Sequence, residues 1–277
     1  MNIRLCTAKT QSLIEKMSVN YRYVDHFKFE EWCRNSKVFF LVSVGRSGTQ
    51  FLSTLLNGNE SAVFHEPVKS DVVEFRRSSL SDACSRKYVN EFRLKDIYFR
   101  HAHSGRDIYG EVNSYLRVHC QSLRLALPNC TQIQLVRDGR DVVRSMMSRK
   151  IFDKKSWSTN KIGPILGDDY FEKWDVMSPF EKRCWIWTNS NRRIRDSNFD
   201  YVRLEDCLTD YEYFDHKILQ KVDINVDEEN WEKARLLKSK NSTASHQFAR
   251  YDNWSKAEKQ IFERICGSEM AAYGYSF

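Results

Sequence analysis

Apolar residues along the chain come in short dense runs, separated by stretches in which they recur at helical spacing. The first dense run, Val38 to Val44, is nearly continuous and rich in β-branched residues, as expected of a strand buried on both faces of a parallel sheet. It breaks at Gly45-Arg46-Ser47-Gly48-Thr49, and from Phe51 the large residues fall at 51, 52, 55 and 56, one face of a helix. The stretch therefore reads as strand, tight polar turn and helix.

The same alternation continues downstream. Ala62-Val63-Phe64 is a short apolar strand running into His65-Glu66-Pro67, and residues 70 to 100 are charged and helical in tendency. Ile108 to Val112 predicts a third strand, Val118 to Leu127 a helix ended by Pro128-Asn129, and Gln132 to Val136 a fourth strand followed by a helix through Met147. Ser178-Pro179-Phe180-Glu181 and Ser255-Lys256-Ala257-Glu258 are capping boxes that open two further helices, and Asp200 to Leu204 predicts a fifth strand. Strands alternating with helices imply an α/β fold, a doubly wound, mostly parallel five-stranded sheet flanked by helices, with ligands outside the carboxyl ends of the strands.

Composition narrows the class. The chain has 277 residues, 41% hydrophobic and 13% aromatic, with only 10 Gly and 4 Pro, so it reads as one folded domain without linkers or repeats. The core is expected from about residue 38, with residues 1 to 37 as an extension whose aromatic cluster (Tyr21, Tyr23, Phe27, Phe29 and Trp32) covers one edge of the sheet. A formal charge of +7 favours anionic ligands, but the basic residues are dispersed; the densest group, Arg192, Arg193 and Arg195, reads as a solvated helix face, and no nucleic-acid partner is expected. Eight cysteines show neither C-x-x-C pairs nor zinc spacing, which implies reduced thiols. With no signal-peptide core and no run of 18 apolar residues, the chain is expected to be cytoplasmic without a membrane span; a lumenal Golgi domain freed of its anchor stays open.

The turn after the first strand carries the chemistry. Gly45 and Gly48 let the backbone turn tightly and approach a ligand, with free amides at the helix start facing an anion. The ATP-type loop G-x-x-x-x-G-K-[ST] does not match, because the glycines are too close and no Lys follows the second. Gly45-Arg46-Ser47-Gly48-Thr49 instead resembles the 5′-phosphosulfate loop of the sulfotransferases that use 3′-phosphoadenylyl sulfate (PAPS), with Arg46 where the family has a Lys or Arg. A second stretch, Leu135-Val136-Arg137 through Ser145, is similar to the family's 3′-phosphate motif, with an Arg at a strand end and a Ser eight residues later.

The resemblance extends from about residue 38 to the C-terminus. Tyr201-Val202-Arg203-Leu204-Glu205-Asp206 looks like the family's late strand with its acidic pair, and Phe248 to Trp254 is similar to the basic segment that closes over the nucleotide. It implies the P-loop-like sulfotransferase fold, PAPS as donor, adenosine 3′,5′-bisphosphate (PAP) as product and no required metal. The implied donor site is Gly45, Arg46, Ser47, Gly48, Thr49, Gln50 and Phe51, the last at the place of an adenine-stacking Trp or as a core residue, with Arg137, Ser145 and Arg250 on the 3′-phosphate. The Arg-Lys-Gly of cytosolic members is absent around Arg250. Arg46 counts as catalytic because it faces charge that develops on the bridging oxygen.

A general base is inferred by the same comparison. Glu66, 17 residues after Thr49, resembles the Glu-Pro of Golgi carbohydrate sulfotransferases and the catalytic Glu of the tyrosylprotein and heparan 3-O types. Cytosolic phenol and steroid enzymes carry a Lys-Thr-His on the third strand, where this chain has Tyr109-Gly110-Glu111-Val112-Asn113-Ser114; Glu111 is the second candidate, followed by His65, His101 and His103. Trp157, Trp174, Trp185 and Trp187 are either pocket walls for a sugar or aromatic acceptor, or core. The acceptor is a small molecule, glycan or other compound bearing a hydroxyl or amine. The competing readings are a P-loop nucleotide kinase or NTPase, and a nucleotide-binding relative without catalysis.

Overall fold

The computed structural model describes residues 24–148, 162–236 and 248–276. Five strands, β1 (Lys37–Ser43), β2 (Ser61–His65), β3 (Ile108–Asn113), β4 (Thr131–Val136) and β5 (Asp200–Arg203), form one sheet in the order β2-β3-β1-β4-β5. Every pairing is parallel. The expected α/β sheet of five strands is thus present.

The near-continuous apolar run of β1 has a direct cause. Phe39 and Leu41 enter one hydrophobic cluster with Leu52, Ile133 and Val202, whereas Val38, Phe40 and Val42 enter another with Ile97, Leu116 and Leu123. Both faces of the central strand are covered by helices, so the two-residue alternation never meets solvent. Gly110 on β3 has no room for a side chain, because a Cβ there would sit 2.1 Å from Phe39 Cζ. A third cluster joins Val142, Val143 and Met146 of the Gly139–Met147 helix to Trp187 of the Pro179–Arg195 helix and Phe262 of the Lys256–Ala272 helix.

Both capping boxes form. Ser178 and Ser255 each accept from the backbone N–H of the glutamate three residues on, and each glutamate accepts in return from the cap N–H. Of the N-terminal aromatics, Tyr21 and Tyr23 lie outside the described residues. Phe29 and Trp32, on the His26–Asn35 helix, pack on the cluster that includes Val38 and Phe40, and their rings meet Tyr98 of the Leu94–Ser104 helix. Trp157 is also outside the described residues, whereas Trp185 and Trp187 are core residues. All seven cysteines among the described residues are free thiols. Among those residues no helix is long and apolar enough to cross a membrane.

The register positions the chemistry. β1 and β4 are neighbours, with Ser43 opposite Leu135, so the turn that follows β1 and the Arg that follows β4 leave the sheet side by side. β1 leads through its helix to β2 on one side, while β3 leads to β4 on the other. A crevice opens at the carboxyl ends of the strands where the connections diverge.

Candidate active site

The turn after β1 is built from left-handed backbone. Gly45, Arg46 and Gly48 have φ of 80°, 64° and 74°. Gly48 is required twice over, since its φ disfavours a side chain and a Cβ would lie 2.7 Å from Leu204 Cδ1. Ser43 Oγ accepts from the Gly45 N–H at 3.2 Å, and Ser47 Oγ donates to the Gly45 carbonyl at 3.4 Å, which fixes the loop from within.

Two sequence-predicted motifs meet here. Arg46 Nε donates to Ser145 Oγ at 2.9 Å, and Arg137 Nη1 donates to the Arg46 carbonyl, also at 2.9 Å. The second arm of the Arg137 fork reaches Asp141 Oδ2 at 3.1 Å. Arg137 is braced from behind, where Trp187 Nε1 donates to its carbonyl at 3.1 Å. That contact gives Trp187 a structural place beside the motif, the core alternative for this residue.

Arg137 and Arg250 share a cleft of about 440 Å³ with Arg140, Arg144 and Tyr251. Arg144 Nε donates to the Phe248 carbonyl at 3.1 Å, tying the C-terminal segment to the Gly139–Met147 helix. Arg140 is anchored by Asp138, with Nε 2.9 Å from Oδ1, and lies over the Tyr251 ring at 5.2 Å. Sequence reading missed Arg140 and Arg144. Their four-residue spacing on the helix after β4 was the available signal, since residues four apart share a helix face.

Of the remaining loop residues, Thr49 Oγ1 lies 2.8 Å from His65 Nε2, so the histidine touches the loop. The Gln50 carbonyl accepts from Ser53 Oγ and Thr54 Oγ1 at 3.0 Å each. Phe51 is partly buried and packs on the cluster that includes Leu52 and Ile133, the core alternative for that position.

The carboxylates fall in different environments. Glu66 follows β2 with a φ of 44°, unusual for a non-glycine residue, and its Oε1 accepts from the Ser114 hydroxyl and from the Ser114 N–H at 3.4 Å. Ser114 also lies against Gly45, so Glu66 stands one side chain from the loop. Glu111, by contrast, faces away from the loop into a closed ion cluster. Arg93 Nη2 donates to its Oε1 at 2.7 Å, Tyr109 OH to the same oxygen at 2.6 Å, and Asn113 Nδ2 to Oε2 at 3.0 Å. Arg93 also binds Asp71 and Asp96, and the whole cluster is buried. Burial, offset by Arg93 and reinforced by Asp71, pushes the Glu111 carboxyl up.

Two other histidines are occupied elsewhere. Trp32 Nε1 donates to His101 Nδ1 at 2.9 Å, while His101 Nε2 lies 3.2 Å from the Asp107 carbonyl, and burial presses this imidazole down from its ordinary value. His103 Nδ1 lies 2.7 Å from the Phe99 carbonyl on an exposed helix end. The acidic pair after β5 also does structural work: Glu205 accepts from the Asp138 N–H at 3.0 Å and from Tyr275 OH at 2.8 Å, and Asp206 holds Arg203.

A family model for the sulfotransferase family matches residues 39–228. The chain belongs to that family. Among solved structures it is similar to the sulfotransferase STF9 from Mycobacterium avium, with a TM-score of 0.50 and 10% identity over 87% of this chain and 78% of that one. It also matches a sulfotransferase from Alicyclobacillus acidocaldarius at TM-score 0.48 and 12% identity, over 88% of this chain and 97% of that one. Mouse sulfotransferase SULT7A1, solved in complex with PAP, matches at TM-score 0.43 and 12% identity over 88% of this chain and 89% of that one. No curated protein matches the chain.

Proposed function

We propose that the protein transfers a sulfuryl group from PAPS to a hydroxyl or amine of an acceptor. The observation that carries this reading is the junction of the two phosphate motifs, where Arg46 and Arg137 converge on Ser145 and the loop carbonyl from opposite strands. The loop amides and Arg46 hold the 5′-phosphosulfate. Arg137, Ser145 and Arg250 hold the 3′-phosphate, the two arginines from the cleft that Asp138, Asp141 and Asp252 also line, where planar guanidinium forks suit phosphate oxygens.

In the reaction the acceptor oxygen attacks sulfur in line, the bond from sulfur to the bridging oxygen breaks, and PAP leaves with the electron pair. Arg46 opposes the charge gathering on that bridging oxygen, a contact worth about 3–4 kcal/mol in a dry, preorganised site. Glu66 takes the acceptor proton. It stands at the carboxyl edge of β2, joined through Ser114 to the loop that holds the sulfuryl group. Glu111, saturated by three donors inside the fold, organises β3.

Isothermal titration tests the donor assignment. PAP is expected to bind tightly without Mg²⁺ and to exceed both adenosine 5′-phosphate and ATP in affinity. Mg²⁺-dependent binding of ATP with no response to PAP would replace this reading with a nucleotide kinase or NTPase.

A further inference from the structure

Two of the buried arginines, Arg93 and Arg117, are in opposite circumstances. Arg93 is ringed by three carboxylates, Asp71, Asp96 and Glu111. Arg117 is as deeply placed, yet among the described residues no carboxylate lies within 4.0 Å of it. Its Nη1 donates to the Ser114 carbonyl, and its guanidinium lies 4.2 Å from the Phe75 ring centroid. Neither partner carries a compensating charge. Burial presses its pKa down to about 10, against the pull of Tyr115 and Glu66, and Arg193 presses it further.

Arg193 repeats the pattern nearby. Its guanidinium donates to the carbonyls of Ser79 at 2.9 Å and Ser78 at 3.5 Å, again without an acidic partner among the described residues. The Ser78 hydroxyl at the same turn is fully buried and has no hydrogen-bond partner there either. Arg193 is close enough to act on Arg117, and Arg117 is bound to the same serine that positions Glu66. The pull of Glu66 offsets the burial of Arg117 only in part, since its pKa stays depressed, and a bound anion removes the remaining cost.

We propose that Arg117 is the acceptor-binding cation and that the acceptor carries a carboxylate close to the hydroxyl that is sulfated. This deepens the sulfuryl-transfer reading and rests on it. The planar fork pairs with a planar carboxylate, Phe75 fixes the guanidinium plane, and the route from Arg117 through Ser114 to Glu66 sets the reacting hydroxyl beside the base. Arg193 supplies a second, longer-range attraction.

The test uses the full chain saturated with PAP and two matched pairs of probes. One pair is 4-nitrophenyl β-D-glucuronide and 4-nitrophenyl β-D-glucoside; the other is 4-hydroxyphenylacetate and 4-hydroxyphenylacetamide. Titration calorimetry is expected to show the acid of at least one pair binding about tenfold to a hundredfold more tightly than its neutral partner, the range of a charged hydrogen bond. Arg117→Met should abolish that preference and leave PAP affinity unchanged, and Arg117→Lys should restore part of it. Equal affinities within both pairs, or a preference that survives Arg117→Met, would overturn the assignment.

If Arg117→Met does not fold, the wild-type protein and Arg193→Gln decide. The acid arm alone should weaken as salt is raised, and Arg193→Gln should narrow the preference several-fold. A salt-independent acid arm counts against the proposal. PAP binding is measured in a separate titration of the unliganded chain, so its failure refutes the donor reading on its own, while an acid preference that needs Arg117 still stands.

Discussion

Ser145 Oγ accepts a hydrogen bond from Arg46 Nε at 2.9 Å, joining residues 99 positions apart. The bond makes one unit of the turn after β1 and the helix after β4. Arg46 is held in the crevice by a neutral hydroxyl and has a left-handed backbone of its own, so its head group is aimed before any ligand arrives. Preorganised charge of this kind lowers a barrier, because little reorganisation remains at the moment of reaction.

Arg46→Ala should therefore reduce turnover by about 10²–10³-fold, the usual loss for one such donor. The fold should survive, since the side chain lies at the crevice and outside the hydrophobic clusters. Far-ultraviolet circular dichroism and PAP titration check that the loss is chemical. Ser145→Ala should fall between this variant and the wild type. Unchanged turnover in purified Arg46→Ala would remove the residue from the mechanism.

Arg137 should tell the 3′-phosphate from the 5′-phosphate. It lines the cleft with Arg250 and has one arm on the loop carbonyl. Arg137→Ala should weaken PAP by about tenfold or more, the value of a lost charged hydrogen bond, and adenosine 5′-phosphate much less. Both ligands carry the 5′ group, so the difference reads the 3′ contact alone. Equal losses for the two nucleotides would move the 3′-phosphate elsewhere.

His119 makes folding stability depend on acid. The ring is buried with Nδ1 3.0 Å from Ser85 Oγ, and Nε2 has no partner among the described residues. Burial presses its pKa from 6.5 down to about 4, with Arg93 and Arg193 helping against Asp71. A depressed folded-state pKa means that the unfolded chain binds the proton first. The stabilisation is complete above pH 6.5 and drains away as pH falls towards 4, with about 2 kcal/mol lost by pH 5 at 1.36 kcal/mol per unit. Urea midpoints at pH 7 and pH 5 measure this, and His119→Gln should flatten the difference even if it lowers both values. An undiminished pH dependence in that variant would assign the effect to other groups.

The strands and the phosphate loop were legible because each depends on local pattern. Val38 to Val44 announced burial on two faces, and Gly45 and Gly48 announced positive φ. Glu111 shows where local reading stops. From sequence it is a carboxylate at a strand end, and only the fold supplies Arg93, 18 residues away, that turns it inward. Ser114 was hidden for the same reason, since its bond to Glu66 spans 48 residues. Trp187 read as core more readily than as a pocket wall, and its burial and its contact with the Arg137 carbonyl, 50 residues away, agree with core. The partner of Trp32 was hidden too, since its bond to His101 spans 69 residues.

The base is the sharpest test of the site. Glu66 just follows β2 and Glu111 lies within the neighbouring β3, and their surroundings separate them: two donations from Ser114 beside the loop, against a sealed cluster around Arg93. Glu66→Gln keeps the size of the side chain and its ability to accept from Ser114 but removes its basicity. Turnover should fall by about 10²–10⁴-fold, the contribution of a positioned general base, with PAP affinity nearly unchanged. Glu111→Gln should leave the chemical step close to intact, and its effect should appear in the melting temperature, because it alters the charge balance around a buried guanidinium. Single-turnover measurement of sulfuryl transfer separates these outcomes from changes in binding or product release. If Glu66→Gln retains turnover and Glu111→Gln loses it, the proton leaves through β3 and the closed cluster must open during catalysis. If both retain it, the acceptor ionises without a carboxylate, and His65, 2.8 Å from Thr49, becomes the next residue to replace.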